Sequence, residues 1–154
     1  MLFKNYTYTP YPAQPNVRLA CVIVMAPNQM FNTAYQIHPQ HRNGNPNKAQ
    51  WTVSYENEIS IFAGAAVENI IVDEQYMWGI FVPQYEPEVL GVTKNGDQSR
   101  IAIFDNGKHN GFWHGYPADY IREQEVPPDV VLDTWRTKAI ISKPDINKII
   151  KGQW

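Results

Sequence analysis

Val89-Leu90-Gly91-Val92-Thr93-Lys94-Asn95-Gly96-Asp97-Gln98-Ser99-Arg100-Ile101-Ala102-Ile103-Phe104 reads as a β-hairpin and sets the class of this chain. Two β-type runs, 89–93 and 99–104, flank Asn95-Gly96. Asn-Gly tolerates positive φ at both central positions of a two-residue turn, so the segment predicts two antiparallel strands.

Working outward, 76–82 and 68–73 are apolar on both faces and read as central strands. Residues 51–55 alternate with a period of two, and 59–62 would continue the sheet after a short break. The apolar run 19–26 makes 18–26 a buried strand, with Cys21 as a small apolar residue inside it. Residues 38–50, rich in Asn, Pro and Gly, read as a long loop. Five Trp, nine Tyr and six Phe spread along the chain suit pleated, half-buried surfaces and support a β-rich core.

The two ends differ from this middle. Residues 1–17 hold Pro10, Pro12 and Pro15 among Tyr6, Tyr8 and Tyr11, which predicts an extended arm, either an edge strand or a polyproline-like segment. Pro127-Pro128-Asp129 opens a helical pattern with Val131, Leu132, Trp135 and Ala139 on one face. Ser142-Lys143-Pro144-Asp145 is a capping-box-like start to a second helix, stopped by Gly152. The expectation is an α+β fold: a mostly antiparallel sheet with two short C-terminal helices packed on or beside it. One domain spans 1–154, made of an arm (1–17), a β-rich core (18–126) and a helical end (127–154), a length that buries roughly 70 % of the unfolded surface.

A single cysteine rules out an internal disulfide. Eighteen mostly polar residues precede the apolar run, which argues against a secretory leader, and its eight residues fall far short of the roughly 20 that span a bilayer. A cytoplasmic protein with no membrane partner is expected.

Charge is strongly segregated. Residues 1–55 carry four basic residues and no acid; 56–133 carry fourteen acids against four basic residues; 134–154 carry five basic residues and one acid. An acidic middle segment, with Glu86, Glu88 and Asp97 as its named contacts, would dock a basic protein partner, as an inhibitor or immunity-type protein does. The basic C-terminal helices read as a solvated face rather than a nucleic-acid surface, since the whole chain is slightly acidic.

The densest chemistry lies in 105–119. Here His109 and His114 are candidate acid and base, with Lys108 to stabilise negative charge, as a small nuclease or phosphodiesterase requires. Asp105, Asn110, Trp113, Tyr116 and Asp119 are the candidate binding residues of this loop. His109 or His114 with Asp105 or Asp119 matches no recognised metal-ligand spacing, so neither metal nor cofactor is expected. His38 and His41 sit in a loop where Pro39 disfavours a shared helical face. A third reading makes the chain a structural component whose arm is exchanged between subunits.

Overall fold

The computed structural model describes residues 6–10, 18–26, 29–107 and 112–154, with side chains from 34 onward. Among these residues nine strands and three helices follow in order. They are β1 (Tyr6–Pro10), β2 (Arg18–Ala26), β3 (Gln29–Ile37), β4 (Gln50–Trp51), α1 (Tyr55–Glu68), β5 (Tyr76–Ile80), β6 (Gly91–Val92), β7 (Gln98–Ser99), β8 (Ile101–Asp105), β9 (Phe112–Pro117), α2 (Asp129–Thr137) and α3 (Lys143–Ile150). The fold is α+β. A six-stranded sheet runs β1-β2-β3-β9-β8-β5, antiparallel throughout except for the parallel pair β3–β9, and β4-β6-β7 form a second, small sheet. The side chain of Cys21 lies outside the described residues.

The two-residue period of the strands divides the core. Tyr35, Met77, Ala102, Phe104 and Trp113 project to one side and pack with Ile59, Phe62, Ala63 and Ala66 of α1. Trp78, Ile101 and Ile103 project to the other side, where Val131, Leu132 and Trp135 of α2 and Ile149 of α3 cover them. The sheet is thus sandwiched between α1 and the two C-terminal helices. Gly115 is required by this packing, because a Cβ there would stand 2.3 Å from the Phe104 ring.

Several local expectations change. The stretch 59–62 belongs to α1 rather than to a strand. Ser54 caps the helix by accepting a hydrogen bond from Asn57 N at 3.1 Å, Glu56 and Glu58 sit in its first turn, and Asn69 ends it in the left-handed conformation. This helix is buried on most of its circumference, so it lacks the 3.6-residue polar stripe by which a surface helix is recognised. Of 51–55 only Trp51 is strand, and 68–73 leads from the helix cap into a turn at Asp73-Glu74, both with positive φ. The hairpin joins β6 to β7, but through the five residues 93–97, in which Gly96 alone has positive φ. Residues 112–117, expected as loop, form β9. Ala139 is exposed with φ 58° just past α2 instead of sharing its buried face. The capping box at Ser142 and Asp145 forms as read, and β1 pairs along the sheet edge.

One buried ion pair ties these layers together. Glu58 of α1, with its side chain 1 % exposed, accepts from Arg42 through Nε at 3.0 Å and through Nη2, and from the Tyr35 hydroxyl at 2.7 Å. Arg42 also donates to the carbonyls of Val53 and Ser54, and its guanidinium lies 4.7 Å from the Tyr55 ring centroid. Burial pushes the Glu58 carboxyl up from its ordinary value, and Arg42 and Tyr35 oppose that shift. Removing one partner leaves a buried charge unmatched. Arg42→Met is expected to cost about 3–5 kcal/mol in urea unfolding, and Arg42→Met/Glu58→Gln distinctly less than the sum of the two single changes.

Candidate functional site

Strand β9 sends Trp113 into the core against Phe62, ring centroids 6.1 Å apart, and therefore sends His114 and Tyr116 to the opposite side. There His114 meets the 38–50 loop. The His38 and His114 ring centroids are 6.0 Å apart, His38 and His41 are 6.1 Å apart, and His41 stacks on Tyr116 at 5.1 Å. Three of the four histidines converge, although nothing in their spacing announced it.

The loop that carries two of them is rigidly built. Asn45 N donates to Asn43 Oδ1 and Asn47 N to Asn45 Oδ1, two successive Asx turns. The Gln50 side chain staples the loop by donating to Gln40 O and accepting from Gly44 N, both at 2.8 Å. His41 Nδ1 donates to Ala49 O at 2.8 Å, which leaves the lone pair on Nε2. His38 Nδ1 accepts from Gln40 N at 3.2 Å, so its neutral ring carries the proton on Nε2. The backbone thus sets opposite tautomers on neighbouring imidazoles.

Electrostatics separate these rings further. Burial lowers His41 to about 4, the Ala49 carbonyl opposes this, and His114, His38 and Lys48 add to it. His38 is lowered by burial and by Lys48. Burial also lowers His114, whereas Asp105, its cross-strand partner, favours the charged ring. Asp105 is itself held by Gln75 Nε2 at 3.1 Å and Gly107 N at 2.9 Å.

His41, His114 and Tyr116 line a cleft of about 380 Å³. Lys48 comes from the loop, Lys94 from the β6–β7 hairpin and Arg122 from the segment after β9; Asp119 and Glu125 complete the wall. That segment is anchored by Tyr120, whose hydroxyl accepts from Arg100 N at 2.6 Å and Ile101 N at 3.2 Å. Trp78 Nε1 donates to Glu125 O at 3.0 Å. Glu125 is 5 % exposed, and burial raises its carboxyl. Arg122 Nε stands 3.2 Å from Glu125 Oε2 without hydrogen-bond alignment, so that oxygen accepts no hydrogen bond among the described residues.

Of the residues singled out in the sequence, His114, Tyr116 and Asp119 line this cleft and Asp105 stands behind it, while Trp113 belongs to the core. Lys108, His109 and Asn110 lie outside the described residues. Glu88 and Asp97 are exposed, and Glu86 borders a separate cleft of about 720 Å³ together with Arg100, Arg136 and Lys148. Glu58, Asp119 and Glu125 are buried and Glu68 pairs with Lys138, while Glu56, Asp73, Glu74, Glu123, Asp129 and Asp133 of the middle segment are exposed. His41, Lys48, Lys94, Arg122 and Glu125 were not foreseen as site residues. Among the described residues no group of three or more His, Cys, Asp or Glu is placed to hold a metal ion, and no helix is long and apolar enough to cross a membrane.

Comparison with protein-family models, curated proteins and solved structures finds no match to this chain.

The low value of His41 has a consequence for stability. Between pH 6.5 and about 4 the unfolded chain binds a proton that the folded ring refuses. The stability this provides is present above pH 6.5 and is lost as the pH falls to 4. His41→Asn, which keeps a donor for Ala49 O, is expected to flatten the pH dependence of unfolding over this window by on the order of 3 kcal/mol relative to wild type. Urea titrations of both proteins at pH 7 and pH 4 measure it.

Proposed function

We propose that the chain is a small phosphodiesterase acting on RNA, with the histidine cleft as its active site. The observation that supports this best is the joint lining of one polar cleft by His41 and His114 with Lys48, Lys94 and Arg122 around them. Cleavage of RNA needs little else, because the substrate carries its own nucleophile. A base takes the proton of the 2′-hydroxyl, the 2′-oxygen attacks phosphorus, and the 5′-oxygen leaves with a proton from an acid. The products are a 2′,3′-cyclic phosphate and a free 5′-hydroxyl.

His41 suits the role of base, since it is uncharged down to about pH 4 with the lone pair on Nε2. His114 suits the role of acid on the acid side of pH 6.5: burial lowers it, and Asp105 opposes that shift by favouring the protonated ring. Lys48, Lys94 and Arg122 would hold the phosphate and stabilise its transition-state charge. A net charge of −2 is no obstacle, because a cleft lined by several cations sets its own local field. Docking of a basic protein on the acidic middle segment stays a second proposal, supported by its exposed acids but without Glu58, Asp119 and Glu125, which are buried, and Glu68, which is paired with Lys138.

Wild type is expected to cleave a single-stranded RNA oligonucleotide to cyclic phosphate ends and to leave its 2′-deoxy counterpart intact. His114→Ala and His41→Ala should each lower kcat/KM by about 10²–10⁴. The pH profile should be bell-shaped, with its optimum on the acid side of 6.5. Asp105→Asn should pull the alkaline limb to lower pH, because it removes the charge that raises His114. Absence of RNA cleavage by wild type from pH 4.5 to 8 would end this reading.

A further inference from the structure

The cleft has a second chemical character that cleavage alone does not use. Beside the cations, Asp119 and Glu125 contribute carboxylates that are 6 % and 5 % exposed. Asp119 Oδ1 accepts from Ile121 N at 3.1 Å, whereas Glu125 Oε2 accepts no hydrogen bond among the described residues. The ion pair of Glu125 with Arg122 offsets part of the cost of burying this carboxylate, and an aligned N–H donor to the oxygen that accepts no hydrogen bond would offset more. The cations nearby narrow what that group can be. Arg122 stands 3.2 Å from the same oxygen, and Lys94 is close enough to favour the charged carboxylate. A further cation would be repelled by both, while a neutral N–H donor would not.

We propose that Glu125, with Asp119, reads the donor edge of the nucleobase on the 5′ side of the scissile bond and so directs the site to guanine. This rests on the phosphodiesterase reading of the same cleft. Guanine presents two adjacent donors, N1–H and the N2 amino group, on its Watson–Crick edge, which complement carboxylate acceptors. Adenine and cytosine offer one amino group beside an acceptor nitrogen. Uracil sets a single N–H between two carbonyl oxygens that would face the carboxylate lone pairs. Bases in single strands expose this edge for such contacts, and a carboxylate reading an amino donor is an established pairing. Glu125 is a specificity residue in this scheme: it touches the base and takes no part in the proton transfers.

The test compares kcat/KM for GpA, ApA, CpA and UpA, together with equilibrium binding of 3′-GMP and 3′-UMP by calorimetry, for wild type, Glu125→Gln and Asp119→Asn. Wild type is expected to prefer GpA over UpA by about 10- to 100-fold. Glu125→Gln should collapse that ratio toward one, because its amide keeps a single acceptor oxygen and sets an NH2 donor against the second guanine donor. Melting followed by circular dichroism establishes that each variant folds. If Glu125→Gln does not, Asp119→Asn and the wild-type ratios decide. Equal cleavage of all four dinucleotides, or a guanine preference that survives both substitutions, overturns the inference while leaving the phosphodiesterase reading standing. No cleavage, but 3′-GMP bound more tightly than 3′-UMP in a manner that depends on Glu125, removes the phosphodiesterase reading and keeps base recognition. Neither cleavage nor selective binding removes both.

Discussion

The buried pair of Arg42 and Glu58 is the constraint on which the candidate site depends. A carboxylate 1 % exposed is tolerable only because a guanidinium and a phenol meet it, and the three groups come from separate parts of the chain. Tyr35 belongs to β3, Arg42 to the loop after it and Glu58 to α1. Arg42 also takes up the carbonyls of Val53 and Ser54, where the loop turns into the helix. Satisfying one buried charge therefore orients the whole 38–50 loop against the sheet. His41 is the residue next to Arg42, so the same constraint places the imidazole that stacks on Tyr116.

The pleat of β9 then divides structure from chemistry. Residue 113 completes the core under α1, residue 115 must be glycine beneath Phe104, and residues 114 and 116 face the cleft on the other side. Because the register of β8 and β9 pairs Asp105 with His114, the carboxylate that favours the charged imidazole is set by backbone hydrogen bonding. A one-residue slip of β9 would bury His114 and expose Trp113. Site geometry and core packing are in this sense the same property of the strand.

Folding pairs some of the segregated charge across the segments of the chain. Arg42 from the basic first third neutralises Glu58 of the acidic middle, and Lys138 from the basic end pairs with Glu68. Lys48, Lys94 and Arg122, far apart in sequence, gather around one cleft. Net charge along segments reported composition. The field at a surface depends on which side chains the tertiary contacts bring together.

Local physical chemistry was legible wherever it was self-contained. Asn95-Gly96 marked the hairpin, Ser142 and Asp145 marked the start of α3, and apolar strand runs marked β2, β5 and β8, which suffices for an α+β fold. Helix α1 escaped because a helix buried nearly all round shows no polar stripe, though Ser54, Glu56, Glu58 and Asn69 carried its end signals. Strand β9 escaped because its glycine, histidine and tyrosine looked like loop chemistry. Within the site, His114, Tyr116, Asp119 and Asp105 could be picked out as residue types. That His38 and His41 join them, and that Lys48, Lys94, Arg122 and Glu125 line the same cleft, follows from the Arg42–Glu58 pair, the β8–β9 register and the Tyr120 anchor. Those are contacts between residues distant in sequence. Turns, caps and strand periods are decided by neighbours along the chain, so the sequence by itself determined them. Convergence of a site is decided by which buried charges and faces must be satisfied together, and only the tertiary structure could decide that.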